Sequence, residues 1–434
     1  MTADLLIENA RYVLMAALPD ESDGVLENVS IGITNGLITS IGDPVPAREV
    51  IDASHCLAMP GLVNLHTHLP MTLLRGIAED VDLQGFLERV WAEEARIMNP
   101  DGVYAGARLG ALEAVLSGTT TALDMYFHPE AGHRAAVEVG LRHITGPVFF
   151  SFPGPDGLEW DERMSRAAAW PQVLADTGGP YVPPALMPHA AFTVGVDHLA
   201  EIVVLAQEQG AMITTHASEN DRENADTIAA TGMRPIAALD AAGVLGRGPV
   251  LGHGVRIDPG ERQRIAETGT TVAHCPGSNL KLASGAADIV GYRADGINVG
   301  LGTDGCSSSN DLDMFAAMRL TANLARLVLD DPAAITAREV VELATVNGAR
   351  ALGLGDRIGT VAVGKEADLL VLDLQAPHLM PVHDPYTLVV FSAGRGDVRD
   401  VVVAGSIVVR DHQPTRVTVE SVLHQARTVV EARS

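Results

Sequence analysis

The chain has few cysteines, few lysines and few aromatic residues. Its 434 residues include three cysteines, two lysines and 4% aromatic residues. A small, odd number of cysteines excludes a disulfide framework and favours a reducing compartment. Because no uninterrupted run of ~18 apolar residues occurs, we expect no membrane-spanning helix.

Positive charge is also scarce. The formal net charge is −25 at pH 7. A surface this acidic disfavours nucleic acids and anionic membranes as partners, because both bind basic surfaces. The first residues lack the basic segment and apolar run of a signal peptide, so we expect none and predict a soluble, cytoplasmic protein.

Both ends of the chain have the composition of β-strands. Residues 1–57 contain short aliphatic runs, and Asn35-Gly36 between two of them is a strong hairpin signal. Residues 357–434 contain similar runs, with a tight turn between residues 400 and 409. We predict that the two ends pair into one small β-sandwich.

The middle of the chain, residues 58–356, alternates strand candidates with helical patterns. This alternation favours a parallel β/α architecture, and eight such units over roughly 300 residues predict a (β/α)8 barrel, also called a TIM barrel. The predicted strands span residues 62–67, 119–124, 143–150, 181–187, 211–216, 249–253, 270–274 and 297–303. Predicted helices between them include residues 101–117, 196–209, 259–268 and 311–329.

Two histidines separated by one residue, His66 and His68, follow Pro60-Gly61 and an apolar strand. Alternate residues of a strand point to the same face, so both imidazoles can bind one metal ion. In a barrel of this kind the chemistry lies at the carboxyl ends of the strands. This position favours a metal site more than the His-X-His pattern does by itself.

Two further strand ends carry residues suited to catalysis. His216 ends the fifth predicted strand, and Glu219 follows three residues later. A carboxylate that close to a metal-binding histidine is placed to transfer protons without being a ligand. His189 closes the fourth strand and is a candidate for contact with the substrate.

The sixth and eighth strands end in His253 and Asp304. His253 could bind the metal, or it could orient water and substrate. Asp304 could bind the metal and accept the proton of a water molecule. If these strand ends converge, three imidazoles and one carboxylate surround a single metal with a further histidine nearby, which is typical of a metal-dependent hydrolase.

Four segments carry a recognisable pattern. They are PGLVNLHTHLPMTLLRG at residues 60–76, SGTTT at 117–121, HCPGSNLKL at 274–282 and GTDG at 302–305. Together they resemble the amidohydrolase superfamily, and within it the branch of S-adenosylhomocysteine/5′-methylthioadenosine deaminases and triazine chlorohydrolases. The resemblance extends over nearly the whole chain.

The resemblance implies one divalent metal per subunit, usually Zn²⁺, with Fe²⁺ or another divalent ion as alternatives. The implied ligands are His66, His68, His216 and Asp304. It also implies Glu219 as the proton shuttle and His253 as the residue that polarises the nucleophilic water. Glu94 corresponds to an acid that binds ribose hydroxyls in adenosine-type deaminases, and His189 corresponds to a histidine near the nucleoside.

The two lysines bear on the number of metals. Relatives with two metals bridge them through a carbamoylated lysine at the end of strand four. Here that strand ends in Met187-Pro188-His189, and Lys281 and Lys365 lie elsewhere. The resemblance therefore implies one metal.

The chain departs from the family pattern in two places. Ala92 follows Trp91 where relatives usually have proline, and the arginines that hold a homocysteine or nucleoside tail in some members cannot be placed. The segment 146–155 is apolar instead. These departures disfavour S-adenosylhomocysteine and leave room for a less polar substituent.

We therefore predict a metal-dependent deaminase of an adenosine derivative, of the 5′-methylthioadenosine/S-adenosylhomocysteine type, that releases ammonia. Guanine or pterin deamination and triazine hydrolysis on the same scaffold are the alternatives. A non-catalytic assembly protein is a remote one, since such relatives typically lack metal ligands and all four positions are filled here. The resemblance also implies a small heterocyclic substrate and a homo-oligomer.

Overall fold

The structure is a computed structural model that describes residues 2–16 and 24–432. Strands dominate the N-terminal part of the described chain, the C-terminal part combines strands with helices, and strands and helices alternate between these two parts. In chain order, strands β1 to β19 are Ala3–Leu14, Val25–Thr34, Leu37–Gly42, Ala47–Asp52, Cys56–Pro60, Leu62–His68, Thr119–Asp124, Arg142–Thr145, Val148–Phe149, Ala185–Pro188, Met212–Ala217, Val250–His253, Thr271–His274, Val299–Leu301, Asp304–Gly305, Leu369–Asp373, Val398–Val403, Ser406–Arg410 and Gln413–Pro414.

The α-helices are numbered in the same way. Helices α1 to α16 are Leu83–Ile97, Pro100–Leu116, Pro129–Val139, Trp160–Thr177, Ala191–Val194, Val196–Gln209, Asp221–Thr231, Pro235–Ala241, Pro259–Thr268, Pro276–Lys281, Ile289–Ala294, Met314–Leu329, Ala337–Leu343, Val346–Ala351, Pro385–Phe391 and Val419–Glu431. Short 3₁₀ helices span Leu69–Leu74, Pro377–Leu379 and Arg395–Asp397. Among the described residues, no helix is long and apolar enough to cross a membrane.

The two chain ends share one mixed sheet. Over residues 2–16 and 24–432 it contains nine strands in the order β19-β18-β17-β16-β5-β1-β2-β3, with β4 paired to β1. Strand β5 joins the two halves, because it runs parallel to β1 and antiparallel to β16. Asn35 and Gly36 adopt positive φ angles of 52° and 79° and turn the chain from β2 into β3, as a tight hairpin requires.

The middle of the chain forms the barrel. Two arcs of parallel strands, β15-β6-β7-β8 and β14-β13-β12-β11-β10-β9, make up its wall. Strands β8 and β9 are successive segments of the third barrel strand, and β14 and β15 are successive segments of the eighth. Each interrupted strand therefore pairs with one neighbour in each arc, and the ring closes. The predicted fold, a (β/α)8 barrel with a small β-sandwich domain built from both chain ends, is confirmed, and in the described residues the strands of that domain form one continuous sheet.

The third barrel strand is interrupted where the sequence predicts a continuous strand over residues 143–150. Gly146 approaches the fourth strand so closely that a Cβ atom there would lie 1.8 Å from the carbonyl oxygen of Ala185. Pro147 follows and has no N–H to donate to a ladder. The prediction of an unbroken strand is wrong at these two residues.

Two of the helices packed around the barrel, α9 and α12, begin at a side-chain cap. The carboxylate of Asp313 accepts hydrogen bonds from the backbone N–H groups of Phe315 and Ala316, so α12 begins at Met314 rather than at the predicted residue 311. Asp258 caps α9 in the same way and forms a capping box with Glu261. These caps fix where each helix starts, and with it the loop that follows the preceding strand.

Candidate functional site

A solvent-open pocket of about 750 Å³ lies at the carboxyl ends of the barrel strands. The inner part carries polar side chains, and the outer part carries aromatic ones. Seven of the eight predicted site residues line it: His68, Glu94, His189, His216, Glu219, His253 and Asp304. The eighth, His66, is buried and packs edge-on against His68, His216 and His253, with ring centroids 5.0, 4.8 and 5.2 Å away.

The end of β6 places His66 and His68 on one face. Nδ1 of His68 donates a hydrogen bond to the carbonyl of Met125 at 2.6 Å, which turns its Nε2 towards the other site residues. Nε2 of His66 is buried without a hydrogen-bond partner among the described residues. A buried polar atom with no partner is costly, so this nitrogen fits the role of a metal ligand.

His216, near the end of β11, is oriented by the backbone of the neighbouring strand. Its Nδ1 donates to the carbonyl of His189 at 2.7 Å, and its Nε2 lies 3.4 Å from Nε2 of His68. About 3.4 Å also separates two ligand nitrogens of tetrahedral zinc when the Zn–N bonds are ~2.0–2.1 Å. The carbonyl partners of His68 and His216 are the kind of contact that fixes the tautomer of a metal ligand.

The eighth strand supplies the carboxylate. Oδ1 of Asp304 lies 3.1 Å from Nε2 of His68 and 3.7 Å from Nε2 of His66. The backbone N–H of Gly305 and the hydroxyl of Ser308 donate to the two carboxylate oxygens at 2.8 and 2.7 Å. These two donors hold the carboxylate facing the imidazoles.

The donor atoms fit a divalent cation. Atoms of His66, His68 and His216 lie within 4.8 Å of one another, and so do atoms of His66, His253 and Asp304. Imidazole nitrogens with one carboxylate oxygen are a donor set that suits zinc and related ions. The second group keeps open whether His253 is a ligand or a neighbour.

The glycine at position 252 packs closely against the His66 ring. A Cβ atom on Gly252 would lie 3.1 Å from Cε1 of His66 and 3.3 Å from its Nδ1, closer than side chains normally pack. The absence of a side chain there leaves room for the His66 ring. The sequence shows this glycine next to His253 but does not show what it faces.

Two of the strand-end residues have unusual backbone conformations. His253 and Asp304 have φ angles of 70° and 62°, in the left-handed region that costs a non-glycine residue about 1–2 kcal/mol. Strain of this kind persists where surrounding contacts impose it and is common at functional sites. Both residues face the same cluster.

The charges of the cluster are coupled. Burial raises the pKa of Asp304, but the hydrogen bond and positive charge of His68 outweigh it and hold that pKa well below its ordinary value. Burial lowers the pKa of His68, while its contact with Asp304 raises it to about 9. Burial drives the pKa of His66 and of His216 well below the ordinary value, so both rings are neutral and able to coordinate.

Glu219 lies beside the cluster rather than within it. Its Oε2 is 3.7 Å from Nε2 of His253, which in turn is 4.0 Å from Oδ2 of Asp304. Burial raises the pKa of Glu219, and the charge of Asp304 adds to the effect, although His253 opposes it. A carboxyl group with a raised pKa at this position can hold a proton and release it.

A second acid, Glu223, supports the backbone of Glu219. Its carboxylate accepts hydrogen bonds from the N–H groups of Ser218, at 3.2 Å, and of Glu219. Burial raises the pKa of Glu223 to about 7, against the two backbone bonds that lower it. Sequence reasoning missed this residue, although an acid four positions after Glu219 at the start of α7 was a visible signal.

Glu94 is also buried, on the pocket side of α1. The hydroxyl of Tyr126 donates a hydrogen bond to its Oε1 at 2.6 Å. Burial raises the pKa of Glu94 to about 7, and the bond from Tyr126 partly offsets this. The sequence offered no signal for Tyr126, because this contact joins the loop after β7 to a helix residue 32 positions earlier.

His189 stands between the cluster and an aromatic wall. The wall consists of Trp91, Phe150, Phe152 and Phe192. The His189 ring stacks on Phe150 with centroids 4.8 Å apart and lies 4.9 Å from the His216 ring. Burial lowers the pKa of His189 to about 3, so the ring is neutral at physiological pH.

The fold and the arrangement of this site define a barrel hydrolase of the metal-dependent class. Polar residues from several strand ends meet at one face, which is where barrel enzymes place their chemistry. Residues 57–408 match the Amidohydrolase family, and the chain belongs to that family. The prediction of a hydrolase that acts on carbon–nitrogen bonds is confirmed.

Three known proteins illustrate the similarity. The chain is 36% identical over 440 residues to a 5-methylthioadenosine/S-adenosylhomocysteine deaminase of Syntrophobacter fumaroxidans, covering 98% of both chains. It is 35% identical to the crystal structure of an adenosine deaminase from Xanthomonas campestris with bound zinc, with a TM-score of 0.93 over 100% of this chain and 99% of that one. It is 25% identical to atrazine chlorohydrolase from Arthrobacter aurescens complexed with zinc, with a TM-score of 0.89 over 98% and 100% of the two chains.

Proposed function

We propose that this enzyme replaces the 6-amino group of an adenosine derivative by oxygen and releases ammonia. The observation that carries the proposal is the position of Glu219 beside His253 and Asp304, next to three converging imidazoles. Hydrolytic removal of an amino group from an aromatic ring requires a nucleophile that attacks the ring and an acid that protonates it, and this site offers both. The similarity to enzymes named as deaminases of adenosine derivatives supports the choice of ring.

We assign the cation to His66, His68, His216 and Asp304, with zinc as its identity. The unpaired Nε2 of His66 and the fixed tautomers of His68 and His216 support this assignment. A divalent cation bound there would supply a water molecule of lowered pKa at neutral pH. Residues of the chain carry out the proton transfers and orient the water and the substrate.

In the first step the water oxygen forms a bond to C6 of the purine. Asp304 accepts one proton of that water, and His253 holds the water's orientation from its place between Glu219 and Asp304. Glu219 delivers its own proton to N1 of the ring. The ring then carries a hydroxyl and an amino group on the same tetrahedral carbon.

In the second step the bond from C6 to the amino nitrogen breaks. The proton held by Asp304 passes to that nitrogen, which leaves as ammonia, and the hydroxyl proton returns to Glu219. The carbon–oxygen double bond of the 6-oxopurine forms. Asp304 is again ionised and Glu219 again protonated, so the cycle balances with one water consumed and one ammonia released.

Glu94 and His189 would hold the rest of the nucleoside. Glu94 is a buried carboxylate with one oxygen held by Tyr126, and a carboxylate can accept hydrogen bonds from two neighbouring ribose hydroxyls. The His189 ring borders both the polar cluster and the aromatic wall, where a purine ring can stack. Both assignments place the amino group at the deep end of the pocket.

Ammonia release from a panel of substrates tests the proposal. The panel contains adenosine, 5′-methylthioadenosine, guanine, a pterin, an aminotriazine and a chlorotriazine, with chloride release measured for the last. We expect ammonia and a 6-oxopurine nucleoside from the adenosine compounds and far slower turnover of the others. Preferential turnover of guanine, pterin or triazine, or no turnover by metal-loaded enzyme, would refute the proposal.

Four other features of the protein stay predictions. These are the domain bounds at residues 1–57, 58–356 and 357–434, the homo-oligomer, the lack of nucleic-acid and membrane partners, and the cytoplasmic location. The shared nine-stranded sheet of the described residues supports grouping the two ends as one domain. Light scattering of the purified enzyme would determine its oligomeric state.

A further inference from the structure

The outer part of the pocket is lined by rings. Trp91 and Phe150 line it, with ring centroids 6.0 Å apart, and Phe152, outside the lining, packs against both rings at 6.3 and 5.3 Å. Phe192 adds a fourth ring, 6.4 Å from His189. Leucine and valine side chains of α1 continue this surface. A group bound there contacts carbon on several sides.

Outside the metal cluster, the same pocket has acidic side chains and no fixed positive charge. Among the described residues that line it there is no lysine or arginine. Its acidic members are Glu94, Glu219, Glu223 and Asp304. A carboxylate brought into this pocket leaves water, meets no cation of the chain outside the metal cluster, and is repelled by the ionised acids.

An arginine lies behind the aromatic wall, but a buried carboxylate pairs with its charge. The guanidinium carbon of Arg163 is 5.4 Å from the centroid of the Phe150 ring. Arg163 is buried, with N–H groups that donate to both carboxylate oxygens of Asp156 at 2.6 and 2.9 Å and to the carbonyl of Val148 at 3.0 Å. Phe150 therefore separates a neutralised cation from the pocket.

The position of Glu94 tells which part of a nucleoside meets the wall. Trp91 and Glu94 are three residues apart on α1, so they lie on the same face of the helix. Glu94 is buried while Trp91 is partly exposed, so the pocket runs from Glu94 outward past Trp91. With the purine at the metal cluster and the ribose at Glu94, the group on the 5′ carbon extends to the aromatic wall.

We infer that the substrate carries an uncharged, apolar 5′ group, such as an alkylthio group, and that a 5′ group with a carboxylate is disfavoured. This inference rests on the proposed deamination of an adenosine derivative. It separates two compounds that the names of relatives place together, since methylthioadenosine has an apolar tail and S-adenosylhomocysteine ends in an amino acid.

Two synthetic nucleosides of matched size test the inference. One is 5′-(3-methylbutylthio)-5′-deoxyadenosine, and the other is 5′-(2-carboxyethylthio)-5′-deoxyadenosine, which has the same number of non-hydrogen atoms and one negative charge. We expect kcat/KM for the alkyl compound to exceed that for the carboxylate by at least about tenfold, because the carboxylate loses water without gaining a partner. Methylthioadenosine should exceed S-adenosylhomocysteine in the same direction.

A variant with a new cation provides the control. Phe192→Arg should reduce the preference for the alkyl compound, while Phe192→Gln, which removes the ring without adding charge, should leave the carboxylate disfavoured. Equal or better turnover of the carboxylate by the unaltered enzyme would overturn the inference and leave the proposed function intact. If neither compound, nor methylthioadenosine, released ammonia, the proposed function and this inference would both fail.

Discussion

The side-chain oxygen of Asn279 accepts a hydrogen bond from Nδ1 of His253 at 3.0 Å. With that proton placed on Nδ1, the other nitrogen of the ring faces Glu219 and Asp304. Both residues of the pair are buried. Asn279 therefore positions His253, although it does not line the pocket itself.

Replacing this partner should reduce catalysis more than binding. The Asn279→Leu variant has a side chain of similar size that cannot accept a hydrogen bond from Nδ1 of His253. We expect kcat to fall by about 10–100-fold, the usual effect of removing a partner that orients a metal-site residue. KM should change little. Steady-state kinetics measures both, with thermal unfolding to confirm that the variant folds. An unchanged kcat in a folded variant would show that catalysis by His253 does not depend on its hydrogen bond to Asn279.

Glu219 should be essential for turnover but not for metal binding. The Glu219→Gln variant keeps the shape of the side chain and loses the transferable proton, so we expect kcat to fall by about 10²–10⁴-fold. Metal content per chain should match that of the unaltered enzyme. A variant that kept full rate on the true substrate would remove Glu219 from the proton transfer.

Metal binding should depend on the imidazoles of the cluster. His68→Ala removes a nitrogen that faces His216 and Asp304, so we expect the purified variant to lose most of its metal. His424→Ala is the matched control, since that histidine is exposed on α16. Elemental analysis of both proteins measures the effect. Metal at unaltered stoichiometry in His68→Ala would contradict the ligand assignment.

The strand ends and their site residues could be predicted from the sequence because one physical rule applies to all of them. Apolar runs ending in histidine or aspartate predict strands whose carboxyl ends share one face of a barrel. From this rule alone, His66, His216 and Asp304 were predicted to lie close together. Strand four was less well predicted, because Pro183 and Pro184 delay its start to Ala185.

The supporting residues could not be predicted from the sequence. Asn279 and His253 are 26 residues apart, and Tyr126 and Glu94 are 32 apart. No local pattern links such pairs, because they meet only when different strands and helices pack together. The same holds for Gly252, whose importance depends on a ring contributed by another strand.

Substrate binding should depend on the ionisation of Glu94. Burial raises the pKa of this acid to about 7, and only its ionised form accepts hydrogen bonds from both ribose hydroxyls. As pH falls through about 7, Glu94 gains a proton, and kcat/KM for adenosine compounds should fall with it. The Tyr126→Phe variant removes a bond that lowers this pKa, so the fall should begin at higher pH.

A substrate without the hydroxyls separates this effect from a general change in the enzyme. With 2′,3′-dideoxyadenosine, we expect the pH profiles of the unaltered enzyme and Tyr126→Phe to coincide. The comparison of kcat/KM against pH for the two substrates measures this. An equal shift with both substrates would mean that Tyr126 acts on a group other than the one that binds the ribose.

The most direct test of the account is a metal titration followed by ammonia release. Enzyme stripped of metal is given increasing amounts of Zn²⁺, and deamination of 5′-methylthioadenosine is measured at each point. The account predicts that activity rises in proportion to zinc up to one equivalent per chain and is then constant. Activity without metal, activity that requires a second equivalent, or a fully loaded enzyme that releases no ammonia would contradict it.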